Sequence, residues 1–170
     1  MSTNLKEPYM SLLYSGPSLA VLHEEYAARG RVDPDAQLTS SSTLVMDAPV
    51  DRVWKVMADL RTWPSWVSGI RILELGEVRP GASFRWRLNG VPLRSRFAVV
   101  EPLRELTWTG TFLGCYRAVD RHVLEPLDDG RTRVTVEESL AGPLLPLFYR
   151  EPTLRANHER WLSDLARAVA

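Results

Sequence analysis

The sequence predicts an α+β domain in which one antiparallel sheet is covered on one face by a long C-terminal helix. Three observations predict it. Apolar residues recur with period two through six segments between residues 70 and 140, tight-turn signals separate most of those segments, and helical spacing returns only after about residue 152.

Residues 1–37 stand apart as a helical extension. Pro17 is placed to open a helix, Leu19, Leu22 and Tyr26 fall at helical spacing, and Gly30 is placed to close it. The polar stretch 31–37, with Pro34, reads as a link, so the main domain is expected over residues 38–170. A Ser/Thr-rich strand over 38–46 runs into Asp47-Ala48-Pro49, where Pro49 suits a helix start and Asp51 the positive helix end. Val50, Val53, Trp54 and Met57 then form one buried helical face, and Pro64 limits Trp63-Pro64-Ser65-Trp66 to a turn or broken helix.

Strands are expected over 70–78, 82–88, 91–100, 105–112, 116–127 and 131–140, punctuated by Arg79-Pro80-Gly81, Asn89-Gly90 and Asp128-Asp129-Gly130. Leu154, His158, Trp161, Leu162, Leu165 and Val169 place one apolar stripe on a helix over 152–169. A bent sheet gripping such a helix leaves room for a pocket.

With 170 residues the chain is the size of one ordinary domain with an appended element. Lys+Arg and Asp+Glu both count 21, so no global field favours nucleic acid or an anionic membrane. Lysine occurs only at Lys6 and Lys55, an arginine bias that fits a GC-rich bacterial genome. Cys115 is the only cysteine, which excludes an intrachain disulfide or thiolate cluster and fits a reducing cytoplasm. The apolar run 141–148 is short and broken by prolines, and Glu7, Glu24 and Glu25 flank the N-terminal apolar stretches, so neither a membrane span nor an export signal is expected.

The chemistry concentrates in the last hairpin. A three-residue turn with Gly130 in the left-handed conformation sets Leu124 opposite Val134, His122 opposite Val136, Asp120 opposite Glu138 and Ala118 opposite Leu140. Arg121, Glu125, Arg133, Thr135 and Glu137 take the other face, which suits water. Asp120, His122 and Glu138 therefore point inward, where desolvation and like-charge repulsion raise a carboxyl pKa and make a general acid or base for neutral pH. His158 joins them from the helix stripe. The same groups also fit a plainer role, satisfying one another at the wet end of a pocket.

Trp86, Trp108, Phe84, Phe97, Tyr116, Tyr149 and Trp161 are candidates for an aromatic ligand-binding wall, with core packing as the alternative. Arg85, Arg87, Arg94 and Arg96 alternate with apolar residues and make a local anion patch or a solvated face. No nucleophile elbow, phosphate-cradling glycine loop or His-x-x-x-His spacing is present, so no metal, nucleotide or other cofactor is expected.

From about Leu38 onward the chain resembles the polyketide cyclase/dehydrase branch of the START and pollen-allergen-like superfamily. The resemblance rests on Ala48-Pro49-Val50-Asp51-Arg52-Val53-Trp54, Trp63-Pro64-Ser65-Trp66, Arg79-Pro80-Gly81, Val100-Glu101-Pro102 before Leu106-Thr107-Trp108, and the stretch from Leu124 to Val134. It implies a helix-grip fold, a curved sheet around the C-terminal helix with a deep apolar cavity, and functions from aromatase/cyclase to lipid carrier. Where relatives typically carry an apolar residue, this chain has His122. The expected function is a cofactor-independent cyclase or dehydratase of natural-product metabolism. In it His122, tuned by Asp120 and Glu138, acts as base, and His158 or Tyr116 polarises or protonates oxygen. The alternative is a carrier for a lipid, quinone or polyketide. Either way the partner is a small hydrophobic molecule, and the extension is expected to close the cavity mouth or form a homodimer contact.

Overall fold

A computed structural model describes residues 12–13 and 16–170; the start of the extension, including Glu7, lies outside the described residues. Seven antiparallel strands form one sheet in the order β1-β7-β6-β5-β4-β3-β2. They are β1 Leu38–Met46, β2 Ile70–Leu75, β3 Ser83–Leu88, β4 Val91–Glu101, β5 Glu105–Phe112, β6 Tyr116–Pro126 and β7 Thr132–Ala141. Consecutive strands from β2 to β7 pair through hairpins, and β1 closes onto β7.

Two turns carry the geometry their residues demand. Asn89 and Gly90 both have positive φ, 49° and 84°, as a two-residue hairpin requires. Gly130, at φ 81°, closes the β6–β7 loop, where the Gly130 amide donates to the Leu127 carbonyl. The expected register follows, with Asp120 opposite Glu138 and His122 opposite Val136.

An irregular helical segment, α1, runs through Leu19–Val21, a π-turn Leu22–Tyr26 and a 3₁₀ turn Ala27–Arg29. The helices α2 Val50–Ala58, α3 Trp63–Trp66, α4 Leu145–Phe148 and α5 Glu151–Val169 follow. The inner sheet face packs against α5 through Phe84, Phe97, Leu106, Val134, Leu162 and Leu165, all nearly inaccessible. Burying each such side chain contributes about 1.5–3 kcal/mol, so this layer dominates the stability.

The extension sits on the opposite face. Leu22 and Ala27 bury against Val119 with Tyr26 alongside, so these side chains cover this chain's own sheet and lie away from the cavity. The π-turn adds a residue to the helical repeat after Leu22, so Ala27 rather than Tyr26 takes the next fully buried position. This cover explains why β5 is buried on both faces over Glu105–Gly110. It also changes the surroundings of Arg121 and Glu137, expected in open water. Arg121 is only 22% exposed and bridges Glu105 at 3.0 Å and Glu137 at 2.6 Å. The link is tied down as well: the Asp33 amide donates to Ser139 Oγ and the Gly142 amide to Gln37 Oε1.

Gly30 caps α1 at φ 63°, where a Cβ would meet the Glu105 carboxylate at 3.3 Å. Gly30→Ala is therefore expected to cost about 1–2 kcal/mol through left-handed strain and crowding of the ion pair, read as a lower urea midpoint with unchanged slope.

Candidate functional site

A cavity of about 450 Å³ opens between the inner sheet face and α5. That volume suits a small organic ligand. Its wall is largely apolar: Trp63, Trp86, Trp108 and Trp161 all line it, with Trp63 within 5.7–6.1 Å of the other three ring centroids. The polar exceptions are concentrated on β6, β7 and α5, where Asp120, His122, Glu138, Asn157, His158 and Asp164 line the space.

The strand pleat puts Asp120 and His122 on one face of β6, and the β6–β7 register sets Glu138 directly beside Asp120. His158 reaches them because it lies one helical turn from Leu154 and Leu162 on the buried stripe of α5. His158 Nε2 is 2.8 Å from Glu138 Oε2, and His122 Nδ1 is 3.6 Å from Asp120 Oδ1. The second pair is too long for a hydrogen bond. Asp120 Oδ1, His122 Nδ1 and His158 Nδ1 are buried without a hydrogen-bond partner. Unpaired buried polar atoms are costly in a core and common where a ligand is handled.

Burial, and then the neighbouring Glu138 charge, raises the Asp120 pKa well above its ordinary value, so that this carboxyl resists ionisation. Burial also drives the His122 pKa down to about 3, helped by His158 and opposed by a backbone bond at Leu106. Its imidazole lies almost parallel to Trp108 at 4.7 Å, with Trp161 at 4.5 Å on an inclined plane. A ring held neutral in this way is a weak base towards water. The unfolded imidazole binds a proton below about 6.5 and the folded one does not, so native stability falls as pH drops from 6.5 towards 3. His122→Phe is expected to flatten that slope in urea titrations across the same interval.

The wall differs from expectation at three aromatics. Phe84 and Phe97 stack on each other at 4.5 Å, fully buried in the core and outside the cavity wall. Tyr116 packs with Leu38, Leu140, Leu145 and Leu154, and its hydroxyl donates to the Pro143 carbonyl at 3.1 Å. Its ring lies so close over Gly142 that a Cβ there would sit 2.1 Å away. Tyr149 does line the cavity, taking a 2.6 Å hydrogen bond from Asn157, and burial then the Glu138 charge keep its phenol protonated. Trp63, Asn157 and Asp164 also line the cavity, a role that the sequence pattern does not mark. Asp164 reaches the wall on the flank of the α5 stripe and pairs with Arg167; only its spacing from Trp161 signals this.

Among the described residues, no cluster of three or more His, Cys, Asp or Glu side chains is placed to hold a metal ion, and no helix is long and apolar enough to cross a membrane.

A curved sheet gripping a terminal helix around an apolar cavity defines the helix-grip class of ligand-binding domains. Residues 37–170 match the family model for polyketide cyclase / dehydrase and lipid transport proteins, and the chain belongs to that family. No curated protein matches the chain. Among solved structures, a hypothetical protein from Helicobacter pylori is 17% identical, with TM-score 0.66 over 78% of this chain and 87% of its own. DynU16, described as a putative protein in the dynemicin biosynthetic locus, is 25% identical, with TM-score 0.62 over 79% of this chain and 47% of its own. CalU16 from Micromonospora echinospora is 22% identical, with TM-score 0.58 over 78% of this chain and 76% of its own.

Proposed function

We propose that the protein is a cofactor-independent cyclase or dehydratase acting on a polyketide-like or other hydrophobic natural-product intermediate held in the cavity. The observation that carries this reading is the opposed pair Asp120 and Glu138 inside an apolar hollow, one carboxyl inclined to keep its proton and the other set against His158. Such a pair offers an acid and a base on the same wall. The family match and the biosynthetic locus named for DynU16 support it.

In dehydration, the Glu138 carboxylate takes a proton from the carbon next to a carbonyl. The C–O bond to the β-hydroxyl breaks as Asp120 gives its proton to the departing oxygen, leaving a C=C bond and water. In cyclisation, the carbanion formed in the same way attacks a second carbonyl carbon along the chain, and Asp120 protonates the new alkoxide. Each turnover leaves the proton on Glu138, and transfer between the opposed carboxyls restores the starting state. His158 steadies the Glu138 anion, His122 lines the cavity beside Asp120 as a neutral ring with a free Nδ1 for substrate, and Tyr149 offers a hydroxyl to substrate oxygen. The indole walls hold the flexible chain folded, which lowers the entropic barrier by several kcal/mol, on the order of what oriented intramolecular reactions gain.

Native mass spectrometry of the purified protein identifies a retained ligand, and its hydroxylated, open-chain precursor is then offered as substrate. The enzyme reading expects cyclised or dehydrated product that disappears in Glu138→Gln. Release of unchanged ligand with no turnover from the precursor contradicts it and leaves a carrier for a lipid, quinone or polyketide.

A further inference from the structure

We propose that the outer face of β2, β3 and β4 docks an acidic protein surface that passes ligand to or from the cavity. Arg71, Arg85, Arg87, Arg94 and Arg96 all stand exposed on this face. Two pairs are directly opposed across neighbouring strands, Arg71 with Arg87 and Arg85 with Arg94. Only Glu74 answers them, 3.5 Å from Arg85; Arg96 donates to the Gly81 carbonyl, and Arg71, Arg87 and Arg94 have no ion-pair partner among the described residues. Like charges set opposite each other weaken a sheet. Five guanidinium groups within roughly 10 by 13 Å, estimated from strand spacing and rise, therefore work against the fold and call for an external anion.

The chemistry favours carboxylates on a folded surface. Arginine forks match carboxylates in bidentate fashion and are enriched at protein interfaces. Nucleic acid is disfavoured because Phe84 and Trp86 alternate inward, so the face has no stacking ring, and because the chain's net charge is zero. A bilayer is disfavoured because the exposed apolar Val91 and Leu113 line the cavity rather than standing among the arginines, where Leu73 of β2 is a single exposed apolar side chain. The link to the cavity is the β3–β4 hairpin itself, whose Leu88, Asn89 and Val91 line the hollow just beyond Arg87. This last step rests on the cavity being the ligand site, as argued above.

The test uses the full chain and the double variant Arg87→Glu/Arg94→Glu, with a fluorescein-labelled poly-glutamate peptide, duplex DNA and phosphatidylserine-containing vesicles as probes. Expected are peptide binding that weakens with added salt and drops at least about tenfold in the variant. The variant should also melt at the same or a higher temperature, since two like-charge pairs are relieved, and should retain the same cavity ligand. Equal peptide binding by both proteins, preference for DNA or vesicles, or a lower melting temperature in the variant overturns the proposal. Because peptide capture needs no cavity ligand, its failure is distinct from a failure of the enzymatic reading, which only turnover decides.

Discussion

Asp120→Asn is expected to lower turnover by about 10²–10⁴-fold while ligand affinity changes only several-fold. The amide keeps the shape and can still donate towards Glu138, but it has no proton to give to a departing oxygen. The same substitution should alter stability in a pH-dependent way. The folded carboxyl holds its proton above the ordinary range, so the native state binds more protons than the unfolded one once pH exceeds 3.8, and stability falls as pH rises from there through the raised folded value. Asparagine removes that penalty. The variant should therefore gain in urea midpoint at neutral pH relative to the parent, with the difference shrinking towards pH 4. A protein that becomes more stable on losing activity is the pattern of a site strained for function.

Phe97→Ala is expected to cost about 3–5 kcal/mol, lowering the melting temperature by roughly 10 °C or more for a chain of this size. Phe97 has no exposed surface and packs face to face with Phe84, so truncation leaves a void that neighbouring strands cannot close. The sequence offers both rings for a ligand wall or for core packing, and on a wall truncation would change affinity more than stability. Thermal unfolding compared with ligand binding separates the two locations.

The choice between those two places shows where the sequence is legible. Alternation fixes which face a residue takes, and for Asp120, His122 and Glu138 it sufficed, because Gly130 pins the register and one slip would expose every apolar partner. Alternation does not say how deep a residue sits below the helix. Phe97, Trp108 and Tyr116 all face inward, yet only Trp108 reaches the cavity, because depth depends on the curvature of the sheet and the position of α5. The stripe on α5 gave His158 but not Asp164, whose place on the flank follows from the helix's rotation against the sheet. The extension was legible as a helix and not as a cover, since nothing local tells Leu22 that its partner is Val119, a residue of β6. Proton assignment was the least legible of all. A histidine beside two acids reads as a charged or readily charged group, whereas burial between Trp108 and Trp161 lowers its pKa, and that depth is not written in the strand pattern.

The most direct measurement is the carboxyl ¹³C titration of Asp120, assigned by its loss in Asp120→Asn. Our account predicts a resonance that remains protonated well past the ordinary aspartate range and moves back towards that range when the Glu138 charge is removed in Glu138→Gln. A simple titration near 3.8, unchanged in Glu138→Gln, would contradict an acid–base pair at the heart of this cavity.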